Sequence, residues 1–576
     1  MLGAIREIGR LRIKQEGLTN LQVLVEDPDS NGSYKEVITI VFEQSSSNNW
    51  SFKGVELESY DKSKIMKYLY KSGAASGADF TPTARLTDKP EGTFDRKILG
   101  WFNILQKKQL PIPNHDINFL SQIKTELEKN DLHIKNEILR IRNEISSKIG
   151  IVVTLKFKQN TGEKYVGDFA VFEKLLLYQF KQKSKKCAIT DKTCSICGQR
   201  KGLVIGNVDT YTFYTLDKIG YITGGFKENE AWKNFPVCRQ CNLELEEGKK
   251  YIEKNMGFSL CGINYNLIPK FILGTEMIPQ EILDIFVNTS KLISLKQEVI
   301  DRITTDEDDI LYCLKDINDI NDVITLNFLF LKKINAAERI LLLIEDVFPS
   351  RIRRIFDTKY KTDELFVDKF TFGSIRRFFA RSDPNKRNYD LDEYFLDIVD
   401  RVFKDRPVSY HFLLRFIMKK IRHEFINDGF YQQAVTDGLM TIYFLQELEL
   451  IKMEEEVMEE RVFDTLFKKF GPTFEMPLKR GLFLLGALAE LLLRKQYVER
   501  NAKPFIKNLK SLKMTERDFK GLLPKIQNKL EEYNAFDKGK RIIASEAANY
   551  LLLTQDNWQM SVDELNFYFS AGMNMV

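Results

Sequence analysis

Histidine is scarce in this sequence, at four among 576 residues, and the scarcity weighs against chemistry that gathers several imidazoles. His115 precedes Asp116 as in an HD-type metal nuclease, but such a centre needs further histidines and carboxylates to hold its ions. His133 lies in a charged helical stretch, and His411 and His423 share one apolar and basic helix, so surface or packing roles suit them better. No Walker phosphate loop and no GxSxG nucleophile elbow occurs. Long apolar runs are lacking too. The longest, Leu482 to Leu493, is interrupted by Glu490 and falls well short of the roughly 20 residues that cross a bilayer. The opening MLGAIREIGRLRIKQEGL has no apolar core followed by a small-residue cleavage site, so it is expected to be the first element of the fold, in a cytoplasmic protein. An excess of one charge is also missing: 86 basic against 81 acidic residues leave +5. Global charge therefore names no partner, and local clusters must carry that argument.

What is present is core-forming material. A hydrophobic content of 43%, with 42 phenylalanines and 22 tyrosines, supports about two to four domains. LQVLVED, VITIVFE and WSFKGVELE, separated by DSNGSYK and SSSNN, predict strands and hairpins, with Asn31-Gly32 suited to a tight turn. Between Lys71 and Lys89 the small residues of KSGAASGADFTPTARLTDK cannot build a core but allow close backbone approach. Helical spacing from Phe119 to Ile149 gives way to strand character in IVVTLKFK from Ile151. From about Ile278 onward helical spacing dominates, which predicts an all-α second half without a fixed repeat. Pro504 should end the helix that carries Leu482, Leu485, Leu488 and Leu492, and Pro524 should kink the next one. Thr515 with Asp518 and Ser561 with Glu564 are helix-opening signals, and Gly572 is placed to close the last helix.

The expected fold class is α+β. It comprises a mixed α/β N-terminal domain (1–186), a four-cysteine insertion (187–262), a helical domain (263–452) and a C-terminal helical bundle (453–576). Seven glutamates between Glu447 and Glu460 face only Lys452, which marks the last boundary.

Four of the seven cysteines form Cys194-Ser-Ile-Cys197 and Cys238-Arg-Gln-Cys241. Thiolates two residues apart on a knuckle reach one tetrahedral ion, and two knuckles complete a four-sulfur site. Structural zinc is the expected ligand, with a redox pair as the lesser alternative. No histidine lies between the knuckles to activate a nucleophile, as an HNH-type nuclease would require. Cys187, Cys261 and Cys313 are expected to be packed thiols, Cys187 being near enough to substitute as a ligand.

Basic residues cluster locally. From Arg494 to Lys529 eleven basic residues meet only Glu499, Glu516 and Asp518. A second group comprises Arg351, Arg353, Arg354, Arg376, Arg377, Arg381, Lys386 and Arg387, where Phe378 and Phe379 offer stacking surfaces. A third runs from Lys181 to Lys192 with Arg200 and Lys201. Solvated faces neutralised by acids from elsewhere are the alternative for each. The run Asp306-Glu307-Asp308-Asp309 suits a solvated loop better than a metal centre.

KYLYKSGAASGADFTPTA, GGFKENEAWKNFPVCRQCNLELEEGKKYI, GLFLLGALAELLLRKQ and the ending SVDELNFYFSAGM resemble, in that order, the large subunit of the type I-B CRISPR Cascade, the Csh-type family. The resemblance implies a non-catalytic subunit that contacts the 5′ end of crRNA and reads the protospacer-adjacent motif (PAM) in duplex DNA. It implies help in separating the strands and holding the displaced one, contacts with the Cascade backbone and other subunits, and recruitment of a separate helicase-nuclease; guide pairing reads the remaining target. Close approach to base pairs needs small residues, which nominates Lys71, Ser72, Gly73, Ser76 and Gly77 with Gly224, Gly225 and Lys227. For nucleic-acid backbones the nominees are Arg351, Arg353, Arg354, Arg376, Arg377 and Arg381 in one group, with Arg494, Lys503, Lys507, Lys510 and Lys520 in the other. The family also suggests a small subunit made from an internal start, here at Met453 or Met458. The rival readings are a zinc-stapled stand-alone nuclease or modifying enzyme, and a zinc-containing duplex-binding regulator.

Overall fold

The opening segment forms a helix, α1 (Leu2–Glu16), which ends where Gly17 adopts φ 63°. A computed structural model of the chain describes residues 1–30, 32–45, 49–73, 77–107, 109–185, 187–206, 208, 210–213, 223, 225, 227–271, 324–334, 337–379, 391–427, 429–451, 461–554 and 558–575. Two compact units emerge: Met1–Gly257 with Lys332–Arg339, and Phe258–Leu331 with Ile340–Val576. The structure is mixed α+β with a helical C-terminal half, as the sequence predicts.

In the first unit, β1 (Tyr34–Gln44), β2 (Trp50–Ser59), β3 (Ala84–Arg85) and β4 (Gly150–Gln159) lie in the order β2-β1-β4-β3, and β5 (Gly162–Tyr165) pairs with β4. The hairpin β1/β2 is antiparallel and β1/β4 is parallel. Runs such as VITIVF and IVVTLKF are buried along their length, as expected of strands covered on both faces. Ile38, Ile40, Phe42, Val153, Leu155 and Phe157 enter the main core with Trp101 and Phe172, while Val37 and Val152 pack with Tyr68 and Tyr165.

The expected strand in LQVLVED is instead a short helix, α2 (Asn20–Leu24), because Thr19 and Gln22 close a capping box. The local hydrogen bonds decide over β propensity, and Val23 and Leu24 still reach the core. Gly32, at φ 73°, precedes β1; Asn31 lies outside the described residues. The short helices α3 (Ile65–Tyr68) and α4 (Pro90–Thr93) are followed by α5 (Asn114–Lys129), α6 (Asp131–Glu144), α7 (Ala170–Lys185) and α8 (Arg239–Asn255). The helical stretch expected from Phe119 is thus two helices broken at Asn130.

Helix α8 packs against α1 at backbone contact. A Cβ on Gly9 would stand 1.8 Å from the Glu244 carbonyl oxygen, and one on Gly248 2.0 Å from that of Ile5. A separate small sheet, in the order β6-β7-β8, joins β6 (Ala188–Thr193), β7 (Arg200–Ile205) and β8 (Val237–Cys238).

The second unit corrects the expectation of an all-α half. Strands β9 (Gly257–Leu260), β10 (Ile263–Phe271), β11 (Ile324–Ile334) and β12 (Ala337–Val347) make a sheet in the order β12-β11-β10-β9. Its 332–339 tip clusters with the first unit. Apolar runs such as NFLFL and ILLLI fit either period by composition, and only pairing selects the strand. Then follow α9 (Pro349–Leu365), α10 (Phe372–Phe379), α11 (Asp392–Phe403), α12 (Tyr410–Ile426), α13 (Tyr431–Glu447), α14 (Asp464–Lys469) and α15 (Pro477–Arg500). The chain closes with α16 (Glu516–Lys520), α17 (Leu522–Glu532), α18 (Lys538–Leu552) and α19 (Val562–Asn574).

Both predicted capping boxes, Thr515 with Asp518 and Ser561 with Glu564, are present. Gly572 does not end its helix: α19 runs on to Asn574, and a Cβ there would lie 1.8 Å from the Phe483 carbonyl oxygen. It is a packing glycine at the α15/α19 crossing. The break near Pro524 falls earlier, at Gly521. Helix α19 also meets α12 and α13, through the Tyr410–Tyr568 hydroxyl pair at 3.0 Å and Asn574 with Thr436 at 2.8 Å.

Candidate metal centre and charged surfaces

The two cysteine knuckles form by different means. The first is the turn of the β6/β7 hairpin, where Gly198 at φ 68° lets its N–H donate to the Cys194 carbonyl at 2.9 Å. The second is a strand-to-helix junction, in which Cys238 caps α8 from an extended conformation and Cys241 sits in the first turn. The Ser195 N–H donates to the Pro236 carbonyl at 2.7 Å and ties one knuckle to the other. The result brings the Sγ atoms of Cys194, Cys197, Cys238 and Cys241 within 4.8 Å of one another. Among the described residues this is the one grouping of its kind. Four sulfurs at this separation fit a tetrahedral ion and leave no position for a substrate.

The electrostatics agree with a thiolate cage. Burial pushes the Cys194 thiol up, but the N–H groups of Cys197, Cys238 and Ile196 outweigh it and bring its pKa down to about 7. Burial raises Cys238 and Cys241. A bound cation removes that penalty, since coordinating thiols lose their protons. Arg6 of α1 pairs with Glu244 and also stands in the field of Cys241 and Cys197. It places positive charge beside an anionic sulfur set, as does the N-terminus of α8. Arg6 was not legible as part of this site, because nothing local links position 6 to position 241. Cys187 is buried outside the four-sulfur group, and Cys313 lies outside the described residues.

The small-residue segment is anchored from below. Lys71 is buried, with its ammonium 2.7 Å from Glu26 and 3.3 Å from Glu246. Glu26 also accepts from the Ser72 N–H at 3.0 Å and its hydroxyl at 2.7 Å. The Gly73 N–H donates to Asp79 at 2.7 Å, and Lys97 pairs with the same carboxylate at 2.9 Å. Lys71 is thus an anchor, while Ser72 is exposed and Gly73 and Gly77 are half-buried. Gly225, at φ 64°, and Lys227 are exposed. No hydrogen bond or ion pair joins them to Ser72 or Gly73 among the described residues. Ser76 and Gly224 lie outside the described residues.

The two main basic groups behave differently. Arg351 donates to the Val402 carbonyl and pairs with Asp405 at 2.8 Å, and Arg354 meets Glu449 at 2.9 Å. Arg376 and Arg377 make bidentate pairs with Asp392 and Asp437, and Arg376 also donates to the Cys261 carbonyl. Phe378 and Phe379 are core residues, Phe379 lying 4.7 Å from Phe416, and offer no stacking surface. The apolar face of α10 needs them for packing. Arg353 is exposed; Arg381, Lys386 and Arg387 lie outside the described residues.

In the later group the basic side chains reach the surface, although the Glu490 beneath two of them is buried. Arg494 and Lys503 flank Glu490 at 3.3 and 3.9 Å, Lys510 meets Asp518 at 2.6 Å, and Lys520 meets Glu516 at 2.6 Å. Lys507 is exposed. The pairs of Lys510 and Lys520 are weak and exchangeable in water. Beside the first knuckle, Lys192 sits 4.7 Å from the centre of the Trp232 ring, and Arg200 grips Asp191.

His115 is exposed and lies 3.4 Å from Asp116. They border a cavity of about 260 Å³ lined by Gln44, Trp50, Phe119, Gln159 and Phe169, which adds no metal-binding carboxylate or imidazole. The stretches 306–309 and 453–458 lie outside the described residues.

None of the curated proteins matches the chain. Three models of one family do, in chain order. They are the N-terminal domain of CRISPR-associated protein TM1802 over residues 1–178, its central domain over 191–347, and its C-terminal domain over 370–576. The central match opens just before Cys194 and takes in both knuckles and the second sheet. The motifs that resemble a Cascade large-subunit family are therefore matched across the molecule, and the chain belongs to the CRISPR-associated TM1802 family.

Proposed function

We propose that the chain is the non-catalytic large subunit of a type I-B Cascade, a crRNA-guided surveillance complex of antiviral defence. The observation that carries this reading is the ordered match of all three family domains along one chain. In it the four cysteines hold a structural Zn²⁺, favoured by an all-sulfur tetrahedral donor set. The metal staples the hairpin β6/β7 to α8 and leaves bond breaking to another protein.

The segment of exposed Ser72 and half-buried Gly73 and Gly77, with Gly225 and Lys227 as a second contact, reads the PAM through close backbone approach. Lys71 supports that surface from inside. Arg494, Lys503, Lys507, Lys510 and Lys520 follow the phosphates of the displaced strand, with Lys510 and Lys520 exchanging a surface carboxylate for a phosphate. Strand separation, R-loop stabilisation and recruitment of a helicase-nuclease complete the role. An internal start at Met453 or Met458 would free α14–α19 as a small subunit. Such a fragment would lose the partners of Tyr568 and Asn574 on α12 and α13, so it needs a replacement surface in the complex.

The test is recovery of the tagged chain from its host and sequencing of the RNA that comes with it. A repeat-derived guide and several partner proteins are expected. A solitary, RNA-free chain that hydrolyses nucleic acid would overturn the reading in favour of a zinc-stapled nuclease.

A further inference from the structure

Helix α8 begins in the metal centre and continues through the charged interior of the first unit. Glu246 and Lys250 stand one helical turn apart, so they share a face. Glu246 takes the Lys71 ammonium at 3.3 Å and the Thr210 hydroxyl at 2.9 Å. Lys250 donates to the carbonyls of Val23 and Val25, the latter at 2.7 Å. These are two limbs of one structure. Glu26, next to Val25, donates its N–H to the Tyr70 carbonyl at 2.8 Å, and its carboxylate binds Lys71 and Ser72. The Phe80 N–H then closes onto the Lys71 carbonyl at 3.1 Å.

On its other side, Lys249 reaches the Thr210 carbonyl at 2.7 Å and Glu338 at 2.8 Å, and Glu338 accepts from the Thr212 N–H at 2.9 Å. The charges are strongly coupled. Burial would raise the Glu246 carboxyl, yet Lys71 and Thr210 hold it below its ordinary range, and burial together with Lys71 lowers Lys250.

A buried ionic lattice has few acceptable geometries, because each displaced partner leaves a charge without water or counter-charge. Its three lysine and glutamate grips from α8 have the orientation of that helix in common. That orientation is set by the Gly9/Gly248 crossing with α1 at mid-helix and by Cys238 and Cys241 at the first turn.

We propose that α8 is a relay through which metal occupancy at the four cysteines holds the limb Lys71–Gly73 in position, with Glu246 and Lys250 as the positioning residues. The mechanical coupling stands on the contacts alone. Its consequence for DNA rests on the assignment of that limb to PAM reading.

Hydrogen exchange on the full chain tests it, read at the amides of Ser72, Gly73 and Phe80. Chelating the metal should speed their exchange by about 10-fold or more while β1 and β4 stay protected. Glu246→Gln and Lys250→Gln should each keep one metal ion per chain. Each should speed exchange at the same amides in the metal-loaded protein, and chelation should then add little. Lys71→Arg should preserve the coupling, which a general loss of packing would not predict. If Glu246→Gln loosens β1 and β4 as well, Glu246→Asp supplies the comparison, keeping the charge and shortening the reach.

Unchanged exchange at the three amides after chelation, or full sensitivity to chelation in both variants, would overturn the relay. Motif-dependent DNA binding by the assembled complex separates the two ideas. If the amides respond and discrimination between motif and non-motif duplex falls several-fold, both hold. If the amides respond and discrimination does not change, the relay holds and the limb is not the reader.

Discussion

Charged side chains around α8 and those along α15–α17 are similar in type and density but differ in surroundings. Lys71 and Glu246 expose 10% and 15% of their side chains, whereas Lys510 and Lys520 expose 58% and 45%. The buried charges are locked because moving any one of them leaves its partners under-compensated away from water. The exposed ones lose little by exchanging one counter-ion for another. A lysine in a nominated loop can thus be an internal strut, while a lysine already paired at the surface stays available to phosphate.

The largest expected effect sharpens the comparison from the buried side. Removing the metal, or replacing Cys238 with Ser, should loosen the β6/β7 hairpin and the first turn of α8 by at least several kcal/mol while the β1/β4 core persists, given the about 10–16 kcal/mol that structural zinc contributes in small domains. Hydrogen exchange at the β6 and β7 amides should rise steeply. Next, Lys71→Met strands Glu26 and Glu246 and should cost about 3–5 kcal/mol in urea unfolding. Arg480→Met should cost a similar amount, because Asp464 is its buried partner at 2.7 Å. That second result would show that burial, not the unit, decides.

Gly572→Leu tests packing without charge. With the Phe483 carbonyl so close to any Cβ, overpacking should cost about 1–3 kcal/mol or more, seen as a lower melting temperature. Lys510→Gln and Lys520→Gln should change stability by less than about 0.5 kcal/mol. Each should still flatten the slope of log affinity against log salt for single-stranded DNA by about 0.7. A large stability loss would place these lysines with the struts.

The smallest effect is in pH. The Lys510 ammonium and the Thr515 N–H hold Asp518 down to a pKa of about 2. A depressed carboxyl stabilises above its unfolded value of about 3.9 and loses that contribution as pH falls toward 2. Wild type should therefore exceed Asp518→Asn slightly in melting temperature at pH 6, and the gap should close near pH 2. The gap stays small because solvent screens the pair.

Much of the site was legible locally. Two CxxC pairs place their thiols close enough for one ion from local spacing, and the capping boxes at Thr515 and Ser561 are short-range hydrogen-bond patterns that need no distant partner. The strand runs at Val37 and Ile151 were legible for the same reason of local pattern. The second sheet was not, since an apolar run carries no period to separate a buried strand from a buried helix. Gly572 resembled a helix stop because its real neighbour, Phe483, is far away in sequence.

By itself the sequence determined the two knuckles of the four-cysteine group, the principal strands of the first sheet and the helical character of the C-terminal part, because each depends on residues a few positions apart. Tertiary structure alone decided that Arg6 and Glu244 flank the sulfurs, that Lys71 faces inward, that Phe378 and Phe379 are core, and that one set of lysines is locked while another remains exchangeable. Those outcomes depend on burial and on partners tens to hundreds of residues away, and the free energy of a charge is set by its surroundings rather than by its neighbours in the chain.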